Sequence, residues 1–552
     1  MLTSLHSIAT LAFLQLSPVT RYWHQLTDPT FRGLYQANLF DASIMVPYFL
    51  VMVILAVYGI HRYTLVYNYF KNRANVAPPP PEVTEWPKVT VQLPIYNERY
   101  VIERLIEAVS QFDYPRELLD IQVLDDSTDE TQEVARDCVE RHRALGVPIS
   151  YIHRTNREGY KAGALHEGLK VATGELVAIF DADFIPPADF LRRTVPYFVD
   201  PKLAMAQTRW SYINRNYSVL TEVEAILLDG HFAIEHSSRY RSGLFFNFNG
   251  TAGIWRRAAI DDAGGWQHDT LTEDTDLSYR AQLRGWHFIY LPEIDCPSEL
   301  PVEMNAFKSQ QARWAKGLMQ TAKKVLPQVM RSKESPARKA EAIFHLTANI
   351  SYPLMVFLSL ILLPAMIVRF YQGWFQVMLI DFPLFLASSC TVSSFYLAAE
   401  RAFYPKTWKR TFWYLPLVMA VGIGLSVKNA FAVMEAIFGV KSEFVRTPKY
   451  RVEAGGKQSG GAWAKKSYRK SPGVMPFIEI ALGLYFAAAV LYAIQNENFA
   501  TIPFFILFVW GYLYTGVMSL TQTYFSGFRV RRASAPVVPA PIEIPAPTTE
   551  QV

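Results

Sequence analysis

Cysteine is scarce in this chain. Three occur in 552 residues, Cys138, Cys296 and Cys390, and an odd number of widely separated thiols supports neither a disulfide framework nor a zinc site built on close cysteine pairs. The soluble part is therefore expected in a reducing compartment. Two phosphate-binding signatures are also missing. No Gly-x-Gly-x-x-Gly and no Gly-Lys-Ser/Thr loop follows the predicted strands, which excludes a dinucleotide fingerprint and a P-loop there. The net charge of +5 is small for the length, and no Lys/Arg stripe interleaved with aromatics stands out, so no nucleic-acid partner is indicated. The stretch Met1 to Pro18 lacks the basic start of a secretory signal and reads as a short peripheral helix.

What the chain has instead is length and long apolar stretches. It exceeds what one core fills, and it is split in character. Residues 88–340 show the mixed patterning of a soluble domain, whereas 43–67 and 344–523 hold apolar stretches near the roughly 20 residues of a membrane span. The pattern predicts a peripheral segment at 1–43, a first span at 44–75, and a stiff linker at 76–87 containing Pro78 to Pro81. The soluble domain at 88–340 follows, then two spans within 341–400, two more within 474–523 and a disordered tail at 524–552. His61, Arg62, Lys71 and Arg73 follow the first span, which puts the soluble domain on the cytosolic side. The stretch 412–440 is apolar enough to span. It carries Lys428 and Glu435, however, and has basic clusters on both sides, from Arg401 to Arg410 and from Lys441 to Lys470. Crossing would put one cluster outside, so 401–473 is expected to hold a helix lying at the interface.

Within 88–340 the runs Lys88–Leu93, Leu119–Leu124 and Glu175–Phe180 read as buried strands alternating with helical stretches, which implies an α/β sheet with parallel strands. Ligands of such sheets bind at the strands' carboxyl ends. Acids stand there: Asp125 and Asp126 after the second strand, and Asp181 and Asp183 after the third. Side chains two apart on a strand point the same way, so Asp181 and Asp183 can face one divalent cation that keeps positions open for a diphosphate. With no P-loop, Lys161 and such a metal are left to hold phosphates. One of Asp125 and Asp126 could hydrogen-bond a base or ribose, and an Asx turn explains the other equally well. Thr272-Glu273-Asp274 reads either as a helix start with acids in its first turn or as a carboxylate placed to take a proton from a hydroxyl. Gln310 and Arg313 share a helix face with Trp314 beside them, a set that suits a sugar ring and its hydroxyls or an amphipathic anchor at the membrane.

In order along the chain stand Pro94-Ile-Tyr-Asn-Glu98, Val123-Leu-Asp-Asp-Ser-Thr-Asp129, Gly159-Tyr-Lys-Ala-Gly-Ala-Leu165, Phe180-Asp-Ala-Asp183, Asn249-Gly-Thr-Ala-Gly-Ile-Trp255, Thr272-Glu-Asp274, Glu299-Leu-Pro301 and Gln310-Gln-Ala-Arg-Trp314. This ordered set resembles the processive family 2 glycosyltransferases of the cellulose synthase superfamily, and within it the cellulose-synthase-like mannan and glucan synthases. The resemblance implies a Rossmann-like GT-A fold, a nucleoside-diphosphate sugar donor (GDP-mannose or UDP-glucose), Mn²⁺ or Mg²⁺, and one-step inverting transfer to a growing β-linked polysaccharide that crosses the lipid bilayer. Carried onto this chain, Asp125, Asp126, Lys161 and Glu273 look like substrate contacts, and Asp181 and Asp183 like metal and diphosphate ligands. Asp274 looks like the general base, and Gln310, Arg313 and Trp314 like the acceptor platform. Phe444-Val-Arg-Thr-Pro-Lys449 is similar to the family's gating loop, which relies on Thr447 and Lys449; Arg446 and Pro448 depart from the cellulose synthase form. The implied setting is a multi-pass protein of a bacterial inner membrane or equivalent. A glycolipid synthase adding one hexose to a lipid is the competing enzyme reading, and a non-catalytic transporter or scaffold is the third.

Overall fold

The computed structural model describes residues 38–371, 389–441, 446–453 and 473–524. The three expected strands form as β1 (Val89–Ile95), β2 (Leu119–Asp125) and β4 (Leu176–Ile179), and a further strand, β3 (Ile149–His153), stands between the last two in sequence. They pair parallel in the order β3-β2-β1-β4, with helices such as Ile102–Ser110 and Thr131–Ala144 in the crossovers. Their near-continuous apolar composition follows from burial on both faces. Val89, Val91, Leu93, Ile121 and Val123 are all inaccessible to solvent.

The other half of the sheet corrects the parallel expectation. β5 (Leu203–Tyr212), β6 (Gly253–Arg256) and β7 (His287–Ser298) complete seven strands in the order β3-β2-β1-β4-β6-β5-β7, and β6 runs antiparallel to both of its neighbours. β7 returns parallel to β5. The cause lies in the helical excursion between β5 and β6, which includes α1 (Val219–Gly230). The chain re-enters the sheet at the carboxyl end of β4, where Gly253 pairs with Ile179. That reversal sets the loop Asn249–Ala252 beside the acids that follow β4. The sheet is the mixed α/β sheet of a GT-A fold.

After β6 come α2 (Glu273–Leu283) and α3 (Met304–Arg331), and beyond them α4 (Thr411–Phe438), α5 (Met475–Gln495) and α6 (Ile502–Tyr524). Among the described residues five helical segments are long and apolar enough to cross a membrane: Leu39–Lys71, Pro336–Val368, Leu415–Phe438, Met475–Gln495 and Ile502–Gln522. This is the composition of a multi-pass membrane protein. Residues 1–37 of the peripheral segment expected at 1–43, residues 372–388 within the two spans expected at 341–400, and the tail from 525 onward lie outside the described residues.

The helix expected at the interface, α4, differs from the other four candidates in its surroundings. Its apolar window is 72% buried by protein, against 22% to 39% for the others. Leu415 and Val418 near its start pack in one cluster with Leu220, Val223 and Ile226 of α1. Near its end, Val433 and Ala436 join Phe245 and Tyr279 of the sheet domain. Its charged residues are answered from α3. Lys428 Nζ donates to Ser309 Oγ at 2.8 Å and Lys316 Nζ lies 2.7 Å from Glu435 Oε2. Lys323 Nζ donates to the carbonyls of Ala436 and Ile437 at the helix terminus. α4 thus touches the sheet domain's helices near both ends, while Ile423 and Val427 between them pack with Phe486 of α5 and Phe505 and Tyr512 of α6.

α3 is fixed to the membrane pair α5–α6 by a buried polar contact. Lys308 Nζ lies 2.5 Å from Glu479 Oε1 and donates to Ser519 Oγ at 3.3 Å, with both charged side chains 1% exposed or less. Asn305 Nδ2 donates to Ser519 O at 3.0 Å, and Gln522 Oε1 accepts from Met304 N–H at 2.7 Å. Removing one partner of a buried pair leaves the other charge uncompensated, at about 3–5 kcal/mol. Lys308→Met alone is therefore expected to lower the thermal midpoint of the detergent-solubilised protein sharply, and Lys308→Met with Glu479→Leu to recover most of it. A double variant no more stable than the single one would show that packing, not the charge pair, sets the cost.

Candidate active site

The strand ends and the loop before β6 enclose a crevice of about 190 Å³. Asp181 and Asp183 follow β4 and both line it, and the Asp181 N–H is held by Thr251 Oγ1 at 2.9 Å. Each acid has a lysine partner from elsewhere in the chain. Lys161, in the first turn of the helix Tyr160–Val171, places Nζ 2.5 Å from Asp181 Oδ1 and 2.8 Å from the Gly250 carbonyl. Lys449 Nζ lies 2.7 Å from Asp183 Oδ2 and also donates to the Glu299 carbonyl. Burial works against the charge on both lysines, but Asp181 and Asp183 respectively hold them above the ordinary lysine value. Burial pushes the Asp181 carboxyl up, against the pull of Lys161.

Glu273 and Asp274 open α2 on the opposite wall. Thr272 does stand at the helix start with Glu273 and Asp274 in the first turn, as one reading of the sequence expects, but its side chain makes no capping bond; its hydroxyl pairs with Thr321 Oγ1 of α3 at 3.1 Å. Gln320 Oε1 accepts from Leu271 N–H at 2.9 Å. The two elements meet at Gly317, where a Cβ would lie 2.6 Å from Thr272 Cγ2; only glycine permits that approach. α3 thereby fixes where Asp274 stands. Burial raises the Asp274 carboxyl to about 7, with the neighbouring Glu273 adding to it, and raises Glu273 as well. On α3 itself, Gln310, Arg313 and Trp314 all line the crevice, and burial lowers the Arg313 pKa.

Of the expected residues one stays out. Asp126 lines the crevice, clamped by Arg154 at 2.7 and 2.5 Å. Asp125 is fully buried and absent from the lining. Its Oδ1 accepts from Ser127 N–H at 2.9 Å, the Asx-turn contact, and its Oδ2 from Tyr151 Oη at 2.6 Å. In this arrangement it shapes the turn that presents Asp126. Thr447 and Lys449 both reach the crevice, while Phe444 and Val445 lie outside the described residues.

Among the crevice residues that sequence reasoning left without a role are Glu98 and Asn249. Glu98 pairs with Arg446 at 3.0 Å, and burial raises its pKa to about 7 although Arg446 draws it down. The motif Pro94–Glu98 was a signal for the first, but nothing local ties it to a residue some 350 positions away. The second is Asn249, considered below.

Among the described residues no three His, Cys, Asp or Glu side chains gather as a metal site. Asp181 and Asp183 offer hard oxygens two residues apart on one wall, which fits a Mg²⁺ or Mn²⁺ ion bound by one or two carboxylates and completed by substrate phosphates and water.

A second cavity of about 700 Å³ opens on the far side of Asp274 and runs between the membrane helices, from Trp314 and His231 past Tyr352 to Phe504 and Phe508. Asp274, Asn249, Trp210, Thr272, Leu228 and Trp314 line both spaces. A carboxylate with a pKa near neutrality thus sits in the wall common to an acid- and lysine-lined crevice and a cavity directed into the membrane.

Residues 87–317 match the sequence model of a family described as glycosyltransferase like family 2. Two curated relatives resemble the same part of the chain. "Glucomannan 4-beta-mannosyltransferase 2" of Arabidopsis thaliana is 46% identical over 257 residues, 46% of this chain and 48% of the relative. "Glucomannan 4-beta-mannosyltransferase 1" of Oryza sativa subsp. japonica is 45% identical over 254 residues, 45% of this chain and 49% of the relative. The matched region spans about half the length of these relatives. A solved structure described as mannosyltransferase PcManGT from Pyrobaculum calidifontis in complex with GDP-Man and Mn2+ is 23% identical, with a TM-score of 0.44 over 65% of this chain and 99% of that one; at that overlap the likeness carries no inference.

The tightest constraint in the crevice is at Gly250. Its φ is +79°, and a Cβ there would lie 2.9 Å from Asp274 Oδ2 and 3.3 Å from Lys161 Nζ. Gly250→Ala is expected to leave the protein folded and to lower its turnover by about 10²-fold, the scale of an ångström-sized misplacement of reacting groups. Wild-type turnover in this variant would show that the loop has room to move.

Proposed function

We infer that this chain, whose residues 87–317 form a family 2 glycosyltransferase domain, is a hexosyltransferase that extends a β-linked mannan or related glycan and passes it into the membrane. The observation that carries the reading is the position of Asp274 in the wall shared by the crevice and the membrane-directed cavity. A donor held in the crevice and an acceptor entering from the cavity would meet at that carboxylate. The similarity to glucomannan mannosyltransferases favours GDP-mannose as donor.

In this mechanism the acceptor's terminal hydroxyl attacks the anomeric carbon. Asp274 takes the hydroxyl proton as the new carbon–oxygen bond forms and the bond to the diphosphate breaks on the opposite face, which inverts the configuration. Lys161, Lys449 and Arg313 bring positive charge to the side where the diphosphate departs. Asp181 and Asp183 would hold the divalent cation, whose contribution when bound is to neutralise charge on the leaving phosphates. Trp210 and Trp314 offer faces on which sugar rings stack. Asp126 and Glu98 stand at the crevice wall for the nucleoside, with Asp125 shaping the turn behind Asp126. Placing the basic flanks of the spans inside puts the catalytic unit in the cytosol, with α4 along its membrane-facing side.

Removing the base by Asp274→Asn is expected to cut transfer by about 10²–10⁴-fold or more while donor affinity stays near wild type; polymer yield close to wild type would sink the assignment. Because the base acts only when ionised and its pKa is about 7, kcat/KM should fall about tenfold per unit as pH drops below that value. A profile that is flat across the region, measured with labelled GDP-mannose, contradicts the assignment. Excess chelator should abolish activity and added Mn²⁺ or Mg²⁺ restore it, with undiminished turnover removing the cation from the reaction. Digestion of the product with linkage-specific mannanase or glucanase reads the sugar and linkage, and a product of one hexose on a lipid would replace the polymer reading.

A further inference from the structure

α1 does not end at Gly230 but passes into one π-helical turn, His231–His236. A π turn widens the helix by one residue and re-aims the side chains on it, and such turns concentrate at functional sites. Here it turns His231 and Glu235 into the membrane-directed cavity, which both of them line. Neither lines the donor crevice. They share the cavity wall with Asp274 and Trp314, on the side from which an acceptor would arrive.

The pair is held from behind and remains available from the front. His231 Nδ1 lies 3.0 Å from Glu235 Oε2, and His231 Nε2 lies 3.0 Å from Oδ1 of Asn249, the residue next to Gly250. Arg239 NH1 approaches the same Glu235 oxygen at 3.4 Å while its Nε donates to Glu341 Oε1 at 2.8 Å; Glu341 Oε2 in turn lies 2.8 Å from His61 Nε2. Burial alone would neutralise Glu235, but Arg239 and then His231 hold its carboxyl well below the usual range, so it is a carboxylate. Both contacts use Oε2, and the two side chains are each 27% exposed. The pair is part-exposed and lines, with Arg62, a cavity that also holds Trp314 and Asp274.

We propose that His231 and Glu235 form a binding subsite for the hydroxyls of the acceptor's leading sugars, with Glu235 accepting from them and Asn249 relaying the position of the pair to the loop beside Asp274. The proposal rests on the glycosyltransferase reading above. Glu235 is a positioning residue: it touches acceptor sugars and takes no part in the proton transfer.

The test uses the full-length protein reconstituted in lipid with labelled GDP-mannose, following nucleotide release, product chain length and free sugar released to water. For Glu235→Gln the donor KM should stay within about twofold of wild type, while shorter chains form and the share of donor lost to water rises roughly ten- to hundredfold, the scale of a hydrogen bond to a charged group. Glu235→Asp should recover part of the chain length, and His231→Gln, which disturbs less charge, should repeat the pattern more weakly. Unchanged chain length and free-sugar share in folded Glu235→Gln and His231→Gln protein would overturn the subsite. So would a donor KM that rises in step with the loss, because a merely structural role would distort the crevice as well. Wild-type protein that releases no nucleotide from any sugar donor would remove the parent reading and this one together; wild-type polymer with unaltered variants would remove this one alone.

Discussion

Too many carboxylates share one poorly hydrated space. Glu98, Asp181, Asp183, Glu273 and Asp274 all line the crevice, and like charges at such separations cannot all remain ionised without cations among them. The sheet supplies Asp181 and Asp183 at a strand end, as the parallel topology requires. It supplies few of the balancing charges. Lys161 comes from the helix before β4, Arg313 from α3, and Arg446 and Lys449 from a segment that follows α4, more than 260 residues after the acids it meets. The crevice is therefore complete only when the membrane-associated part of the chain is folded against the catalytic unit. On the proposed function, a diphosphate and a cation would exchange with pairings already present, the carboxylates being available to the cation and the ammonium groups to the phosphates.

The same constraint accounts for which groups titrate near neutrality. Glu98 and Asp274 are both raised to about 7, chiefly by burial, yet only Asp274 borders the cavity from which an acceptor could come. Glu98 has Arg446 beside it and sits on the donor side. Glu98 lines the crevice alone, paired with an arginine, whereas Asp274 also borders the second cavity, so placement, more than pKa, separates the two carboxyls.

Much of this was legible in the sequence because it depends on local pattern. Apolar runs closed by acids give strands whose ends converge, and Gln310, Arg313 and Trp314 share a helix face by spacing alone; all of these reach the crevice. The family resemblance rests on the same short motifs. What escaped reading depends on contacts between distant segments. β6 is four residues long, and the Asn249-Gly250 turn before it does not say which strand it joins or in which direction; its antiparallel course is set by the excursion that precedes it. Asp125 and Asp126 are adjacent and chemically identical, and only the tertiary neighbours Tyr151 and Arg154 send one inward and leave the other in the crevice. Lys428 and Glu435 stood out in an otherwise apolar stretch. Their partners, Ser309 and Lys316, could not be named without the packing of α4 on α3.

α3 makes one mechanical unit of these parts. Lys308 fixes its first turns to α5 and α6, Arg313 and Trp314 follow within two turns, and Gly317 and Thr321 carry the start of α2. From Lys308 to Thr321 is thirteen residues, about 20 Å of helix at 1.5 Å per residue. Residues 313, 317 and 321 fall on one face because they are four apart. A helix of this length, buried along that face, does not compress; a displacement of the membrane pair at one end therefore moves the platform and the base together, not one past the other. That coupling suits the polymerase reading proposed above, in which each sugar added would shift the acceptor by one unit while Asp274 keeps its distance from Arg313 and Trp314. The buried Lys308–Glu479 contact is then placed where slack would matter most, at the only end of α3 that faces the bundle through a polar contact buried on both sides.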